Sequence, residues 1–168
     1  MTVTIQKELA ERICAAPSTK HYGALSVWVQ SQCTAEIVRV MSPSVFWPKP
    51  KVDSAILEIT LDPTRRNAIF DLDYFHRFVP VLFMHRRKFL RSSLVASFKQ
   101  ALSKPEVDAI LQELGFGESS RAEELSVEQI LRLAEAFQAA LAKHGTSEVI
   151  GEILDVEPSG DDAEDDSE

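Results

Sequence analysis

The sequence predicts an α/β segment followed by an all-α segment, with a charged tail outside both. Strand-type alternation is confined to the first part of the chain, most clearly where Ala55, Leu57, Ile59 and Leu61 alternate with Ile56, Glu58 and Thr60. Beyond the polar boundary Asp62-Pro63-Thr64-Arg65-Arg66-Asn67, the apolar residues recur at helical spacing instead. The 168-residue chain has a net charge of −8, but ten acidic and no basic side chains lie between Glu148 and Glu168, leaving 18 basic against 16 acidic groups in residues 1–147. The expected units are therefore residues 1–61, a linker at 62–70, a helical domain at 71–145 and an acidic disordered tail at 146–168.

Taken in order, Val3-Thr4-Ile5 is a short β-prone opening. QKELAERICAA follows as a helix with Leu9, Ile13 and Cys14 on one face, closed by Pro17. After the loop STKHYG, Leu25 to Gln32 alternates as a strand, with Leu25, Val27 and Val29 on one face and Trp28 on the other. Ala35 to Val40 is a second strand candidate, ended by Ser42-Pro43, and Ala55 to Leu61 is a third. Strands without intervening helices suggest the end of an α/β sheet finishing in a hairpin-like pair. In the helical part, Phe75, Phe78, Leu82 and Phe83 share a helical spacing, which Pro80 should kink or restart. Leu90 and Leu94 belong to a second run. Ser103 with Glu106 and Ser126 with Gln129 are capping-box starts for two further helices, stopped by Gly115 and Gly145.

Two stretches carry candidate chemistry. Val45 to Leu61 opens with Phe46 and Trp47, then interleaves Pro48 and Pro50 with Lys49 and Lys51 before the third strand. The prolines stiffen this segment, so it can hold an aromatic ring at a fixed place above a sheet edge, with lysines beside it suited to phosphate. A solvated proline-rich connector is the plainer reading. The second stretch runs from Asp73 to Glu106 without an acidic residue between them, and contains Arg77, Arg86, Arg87, Lys88, Arg91, Lys99 and Lys104. On a helix Arg87 and Arg91 share a face, and phenylalanines anchor the same segment, which is the footprint of a nucleic-acid backbone site. Pairing of these cations with acids of neighbouring helices is the alternative.

Other classes find little support. Nothing approaches the apolar run of a membrane helix, and Met1-Thr2-Val3-Thr4 lacks the basic start of a signal peptide, so the expected location is cytoplasmic. Cys14 and Cys33 read as reduced packing residues, and the four histidines have no metal-ligand spacing, so no metal is expected. The Gly115-Phe116-Gly117 stretch lacks the βαβ context of a nucleotide loop. Taken alone, the residues offer a binding surface without a catalytic centre.

Five segments, in order, give the chain a resemblance to the C-terminal part of the rRNA adenine dimethyltransferases, the small-subunit rRNA dimethylases and their erythromycin-resistance relatives. They are IQKELAERI at 5–13, YGALSVWVQ at 22–30, FWPKPKVDSA at 46–55, FMHRRKFLRSSL at 83–94 and RAEELSVEQILRLAEAF at 121–137. The resemblance implies the C-terminal portion of a Rossmann-like methyltransferase sheet followed by a small helical rRNA-binding domain. It implies transfer of two methyl groups from S-adenosylmethionine to the exocyclic amine of adenine, a base that must leave its stack to be reached. Phe46 maps onto the phenylalanine that packs against that adenine, with Lys49 and Lys51 near the target strand's phosphates. Arg86, Arg87 and Lys88 map onto the Arg-Arg-Lys run that grips small-subunit rRNA, and Arg91 extends that face.

The departures bear on activity. The family's glycine-rich cofactor loop, ribose-binding acid and Asn-Leu-Pro-Tyr-like tetrapeptide precede the segment that begins this chain, and the sole asparagine, Asn67, lies in the linker. No S-adenosylmethionine binding is expected of this chain alone. His85 stands where Gln is usual, Phe89 for Thr and Ser92 for Asn, and Pro80 falls inside a helix. If the family's strand order holds, Val3 to Ile5 is a central strand without its neighbour. Such an edge invites pairing, with a second copy or a separately encoded N-terminal half as partner. The alternatives to a truncated dimethyltransferase are a non-catalytic rRNA-binding module, half of a split enzyme, and a helical protein-interaction domain.

Overall fold

The structure, a computed structural model, describes residues 1–84 and 88–144. Thr2–Gln6 forms β1, whose residues alternate between exposed and half-buried, and it runs directly into α1, Lys7–Cys14. Helix α2 spans Ala24–Gln30, β2 Cys33–Met41 and β3 Ser54–Leu61. The strands make one antiparallel sheet in the order β1-β3-β2, with Val3 opposite Leu57 and Leu57 opposite Ile37. Strand β3 is central, and β1 lies at an edge. Val3, Ile5, Ala35, Ile37, Ala55, Leu57 and Ile59 share a small core with Ala10 and Ile13 of α1. A bulge between Ile37 and Arg39 shifts the register of β2, so Arg39 pairs with Ile56. Without the extra residue, strict alternation would carry Arg39 onto the covered face beside Ala35 and Ile37.

The stretch Leu25 to Gln32 is a helix and not the expected strand, so residues 1–61 hold two helices instead of one. The reason is visible in its neighbours. Leu25 and Val29, one helical turn apart, pack on the sheet core, while Ala24, Val27 and Trp28 pack on the core of the helical part. A helix buried from two sides loses its single apolar stripe, and its sequence then imitates strand alternation. Its start is fixed by Gly23, whose N–H donates to Ser26 Oγ at 3.1 Å, while that hydroxyl donates to the carbonyl of Arg12.

The stretch expected as a linker contains α3, Pro63–Ala68, capped by Asp62, whose carboxylate accepts from the N–H groups of Thr64 and Arg65. Arg65 reaches back to the carbonyl oxygens of Gln30 and Cys33 at 3.1 and 3.2 Å. Helix α4, Leu72–Phe83, continues through Pro80, so proline neither stops nor restarts it. It is followed by α5 (Leu90–Ser97), α6 (Lys104–Glu113) and α7 (Val127–Lys143). Gly115, at φ 75°, closes α6 as expected. Its N–H donates to Gln112 O and that of Phe116 to Leu111 O, the paired bonds of a Schellman stop. Gly145 lies outside the described residues.

The helical core is centred on Phe78, Phe98 and Phe137, whose ring centroids lie 5.0 to 6.0 Å apart. The N-terminal part enters this core through Tyr22, 1% exposed, which meets Phe83 edge-on and donates its hydroxyl to the carbonyl of Leu125 at 2.8 Å. Ser18 N–H adds a bond to Glu123 O. The STKHYG loop is thus a docking element. No described helix is long and apolar enough to cross a membrane.

Candidate nucleic-acid interface

The loop from Ser42 to Asp53 joins β2 to β3 at one end of the sheet and is held at its base. Met41 pairs with Ser54, and Lys7 N–H donates to Asp53 O at 3.0 Å. Pro43–Val45 forms a single 3₁₀ turn, with Ser42 Oγ accepting from Ser44 N–H and Phe46 N–H donating to Pro43 O. Phe46 leaves that turn in extended geometry, φ −114° and ψ 150°, and is half-buried. Trp47 comes next, is 96% exposed, and is joined to Pro48 by a cis peptide. Lys49 and Lys51 are exposed, and neither forms an ion pair with another described residue. Residues 37–52 contain no Asp or Glu, against Arg39, Lys49 and Lys51. The loop is therefore a positively charged, stiff projection with one aromatic ring half sheltered and one in solvent.

The second sequence candidate is divided. Arg86 and Arg87, with His85, lie outside the described residues. Lys88 is exposed at the bend before α5. Arg91 has a structural partner: its Nε and Nη2 donate to the two carboxylate oxygens of Asp108 on α6 at 2.6 and 2.8 Å. This fork-on-fork pair raises the Arg91 pKa and lowers that of Asp108, through the hydrogen bonds first and the charges second. Arg77 pairs with Asp73 one turn earlier at 2.7 Å. The pairing alternative thus holds for two of these cations. Arg77 and Arg91 are matched by acids, whereas Lys88, Lys99 and Lys104 are exposed.

Beside this segment lies a groove of about 990 Å³ between α5, α6 and the 115–119 turn, lined by Phe89, Arg91, Asp108, Phe116 and Glu118 among others. The Arg121 guanidinium stands 5.6 Å from the centroid of Phe89, a ring 45% exposed at the start of α5. A second cavity of about 540 Å³ opens where Trp28, Val29, Gln32, Cys33, Ile59 and His76 meet. Neither was foreseen, because each depends on residues far apart in the chain. Cys14 is partly buried, and burial pushes its thiol pKa up, as suits a packing residue. Among the described residues no group of three or more His, Cys, Asp or Glu could hold a metal ion.

A family model described as ribosomal RNA adenine dimethylase matches residues 1–139, a span that includes both candidate stretches. The chain belongs to this dimethylase family. Among its relatives, ribosomal RNA small subunit methyltransferase A of Oceanobacillus iheyensis is 38% identical over 137 residues, covering 82% of this chain and 47% of that protein. The protein of the same name from Streptococcus equi subsp. zooepidemicus is 42% identical over 137 residues, 81% of this chain and 47% of its own length. The chain thus spans about half the length of the curated relatives it matches. Its fold resembles a dimethyladenosine transferase from Plasmodium falciparum, with a TM-score of 0.71 at 23% identity, over 83% of this chain and 57% of that one. The 23S rRNA methyltransferase ErmE aligns with a TM-score of 0.54 at 24% identity, over 82% and 54%. For a dimethylase of this family, the sheet order β1-β3-β2 with helices beyond it is the C-terminal part of the methyltransferase fold.

Proposed function

We propose that this chain forms the RNA-facing part of an S-adenosylmethionine-dependent rRNA adenine dimethyltransferase that modifies small-subunit rRNA. The observation carrying this reading is the β2–β3 loop, an acid-free projection that holds Phe46 extended and half-sheltered while Lys49 and Lys51 face solvent. In this reading Phe46 stacks on the adenine drawn out of its strand, and the two lysines meet flanking phosphates. Arg86, Arg87 and Lys88 are the further rRNA grip that the resemblance implies. Arg91 joins them through Nη1, since Asp108 occupies its Nε and Nη2 edge. The names of the relatives support the substrate class.

S-adenosylmethionine supplies the methyl groups when bound, and the described residues do not fit it. Strand β1 runs straight into α1, β2 into the 3₁₀ turn and β3 into the Asp62 cap of α3, so none feeds a glycine-rich turn. The contribution of residues 1–144 is to receive, orient and grip the RNA, and the methyl donor is held elsewhere.

The test is a titration of the 168-residue chain with a small-subunit rRNA fragment at several salt concentrations, beside calorimetry with S-adenosylmethionine. Binding to rRNA should weaken steeply with salt, and the cofactor should give no heat. Affinity for rRNA no greater than for a neutral polymer would leave a helical protein-interaction domain as the better reading. Cofactor binding by this chain alone would overturn the division of labour.

A further inference from the structure

The loop carries two adjacent aromatic rings in opposite settings: Phe46 is half-buried, and Trp47 is 96% exposed. We propose that Trp47 is a second stacking platform, which takes a single-stranded nucleobase next to the one received by Phe46. This rests on the RNA reading above and deepens it.

Four features of the loop support the assignment. First, the extended backbone at Phe46 turns successive side chains to opposite sides, so the indole cannot share the base that Phe46 meets. Second, Trp47 is not the loop's sole apolar exposure: Val45 and Val52 of the same loop are 66% and 49% exposed. Third, the exposed indole sits in residues 37–52, which carry Arg39, Lys49 and Lys51 and no acid, so the complementary partner is an anion with flat apolar faces. Single-stranded nucleic acid has that chemistry, and an aromatic ring beside cations is the recurrent way to bind it. Fourth, the ring is carried between a hydrogen-bonded 3₁₀ turn and two prolines, on a loop tied at its base by Lys7 and Asp53, so little backbone freedom is lost on stacking. An apolar protein surface would also cover a tryptophan, but the lysines two and four positions on would then be buried against it without partners.

Tryptophan fluorescence tests the proposal on the intact chain, since its two tryptophans differ in setting. Trp28 is partly buried and hydrogen-bonded, so Trp28→Phe leaves Trp47 as the sole emitter. A ten-nucleotide single-stranded RNA should quench that emission, and an abasic ribose-phosphate of the same length should not. Comparing the wild-type chain with Trp47→Phe gives the same readout with Trp28 in place. Trp47→Ala should weaken RNA binding by about 5- to 100-fold with the salt slope unchanged, and Trp47→Phe should recover most of the loss. If RNA binds, shown by anisotropy, while Trp47 emission and affinity do not respond, the platform is refuted and the RNA reading stands. Equal quenching by the abasic strand would also refute it. If no RNA binds the wild-type chain, both fall.

Discussion

The indole Nε1 of Trp28 donates a hydrogen bond to the carbonyl oxygen of His76 at 3.2 Å. That carbonyl lies four residues before Pro80, whose missing N–H leaves it without its intrahelical partner. Proline would be expected to break α4, yet the helix continues, and a donor from α2 takes the vacated place. The Trp28 ring also lies 6.0 Å from the His76 ring, and Gln32 Nε2 is 3.2 Å from His76 Nε2. A proline defect in one helix has become the point at which α2 is fastened to it.

Trp28→Phe should therefore destabilise the chain by about 1 kcal/mol beyond its packing loss, the cost of leaving a partly buried acceptor unpaired. Pro80→Ala restores the helical N–H, so the same Trp28→Phe change should cost less in that background. A double-mutant cycle by urea denaturation should show a coupling of about 0.5–1 kcal/mol. Additive effects would mean that the indole contributes packing alone.

How much of this was readable in the sequence follows from how local each signal is. Strands β1, β2 and β3 and helices α6 and α7 announce themselves through alternation, caps and a Gly115 stop within a few residues. Helix α2 did not, because its two apolar faces serve different cores, a fact that exists only once Leu25 and Val29 meet the sheet and Val27 meets the helices. The carbonyl that Pro80 leaves unpaired is met by Trp28, 52 positions earlier in the chain, which could not be inferred from Pro80's neighbours. In the candidate site, the extended geometry at Phe46 was legible from the prolines that follow it. The contrast between Phe46 and Trp47 was not, since exposure depends on how the loop leaves the sheet. The acid-free run of Arg77 to Lys104 hid its partners in the same way: Asp108, which neutralises Arg91, lies one helix farther on.

Tyr74 is 2% exposed and stacked on Phe78 at 5.7 Å, and its hydroxyl has no hydrogen-bond partner among the described residues. Burial, and to a smaller degree the charge of Asp71, pushes its pKa up. An unpaired buried hydroxyl is a cost without return, so Tyr74→Phe should raise stability by about 1 kcal/mol in urea denaturation. A loss of similar size would reveal a partner for the hydroxyl that these residues do not supply.

Glu106 governs an acid-sensitive joint. Its carboxylate accepts from Ser103 N–H at 2.8 Å and Ser103 Oγ at 2.6 Å, and His144 Nε2 at the end of α7 stands 2.6 Å from its other oxygen. The Ser103 bonds first, then that of His144, hold its pKa down to about 2, from an ordinary value of 4.5. A depressed carboxylate pKa stabilises the folded chain above the ordinary value, and that stabilisation is lost as pH falls through the window from 4.5 to about 2. Glu106→Gln keeps an acceptor for Ser103 but cannot titrate. The difference in melting temperature between wild type and Glu106→Gln should thus be positive near pH 6 and shrink toward zero by about pH 2. A difference that does not change with pH would mean the carboxylate charge has no part in the joint.

The loop offers the sharpest separation of grip from chemistry. Lys49 and Lys51 are exposed on a segment without acids, so each acts on a phosphate mainly by charge, and counterion release then sets the salt dependence. Replacing both with Gln should weaken rRNA binding and reduce the slope of log affinity against log salt by about 1.4, near 0.7 for each single-strand phosphate. Phe46 carries no charge and is half-buried, so Phe46→Ala should leave that slope unchanged. In a protein completed with the cofactor-binding half of a relative, the same substitution should lower methylation by about 10-fold or more, with little loss of rRNA affinity, because a base that is not held outside its stack is not presented to the methyl group. The two readouts, filter binding across a salt series and methyl incorporation into rRNA, should therefore sort the three side chains into two groups. Equal losses of binding and methylation in Phe46→Ala would place the ring among the packing residues of the loop, and an unchanged slope in the double lysine variant would place both lysines in bulk solvent.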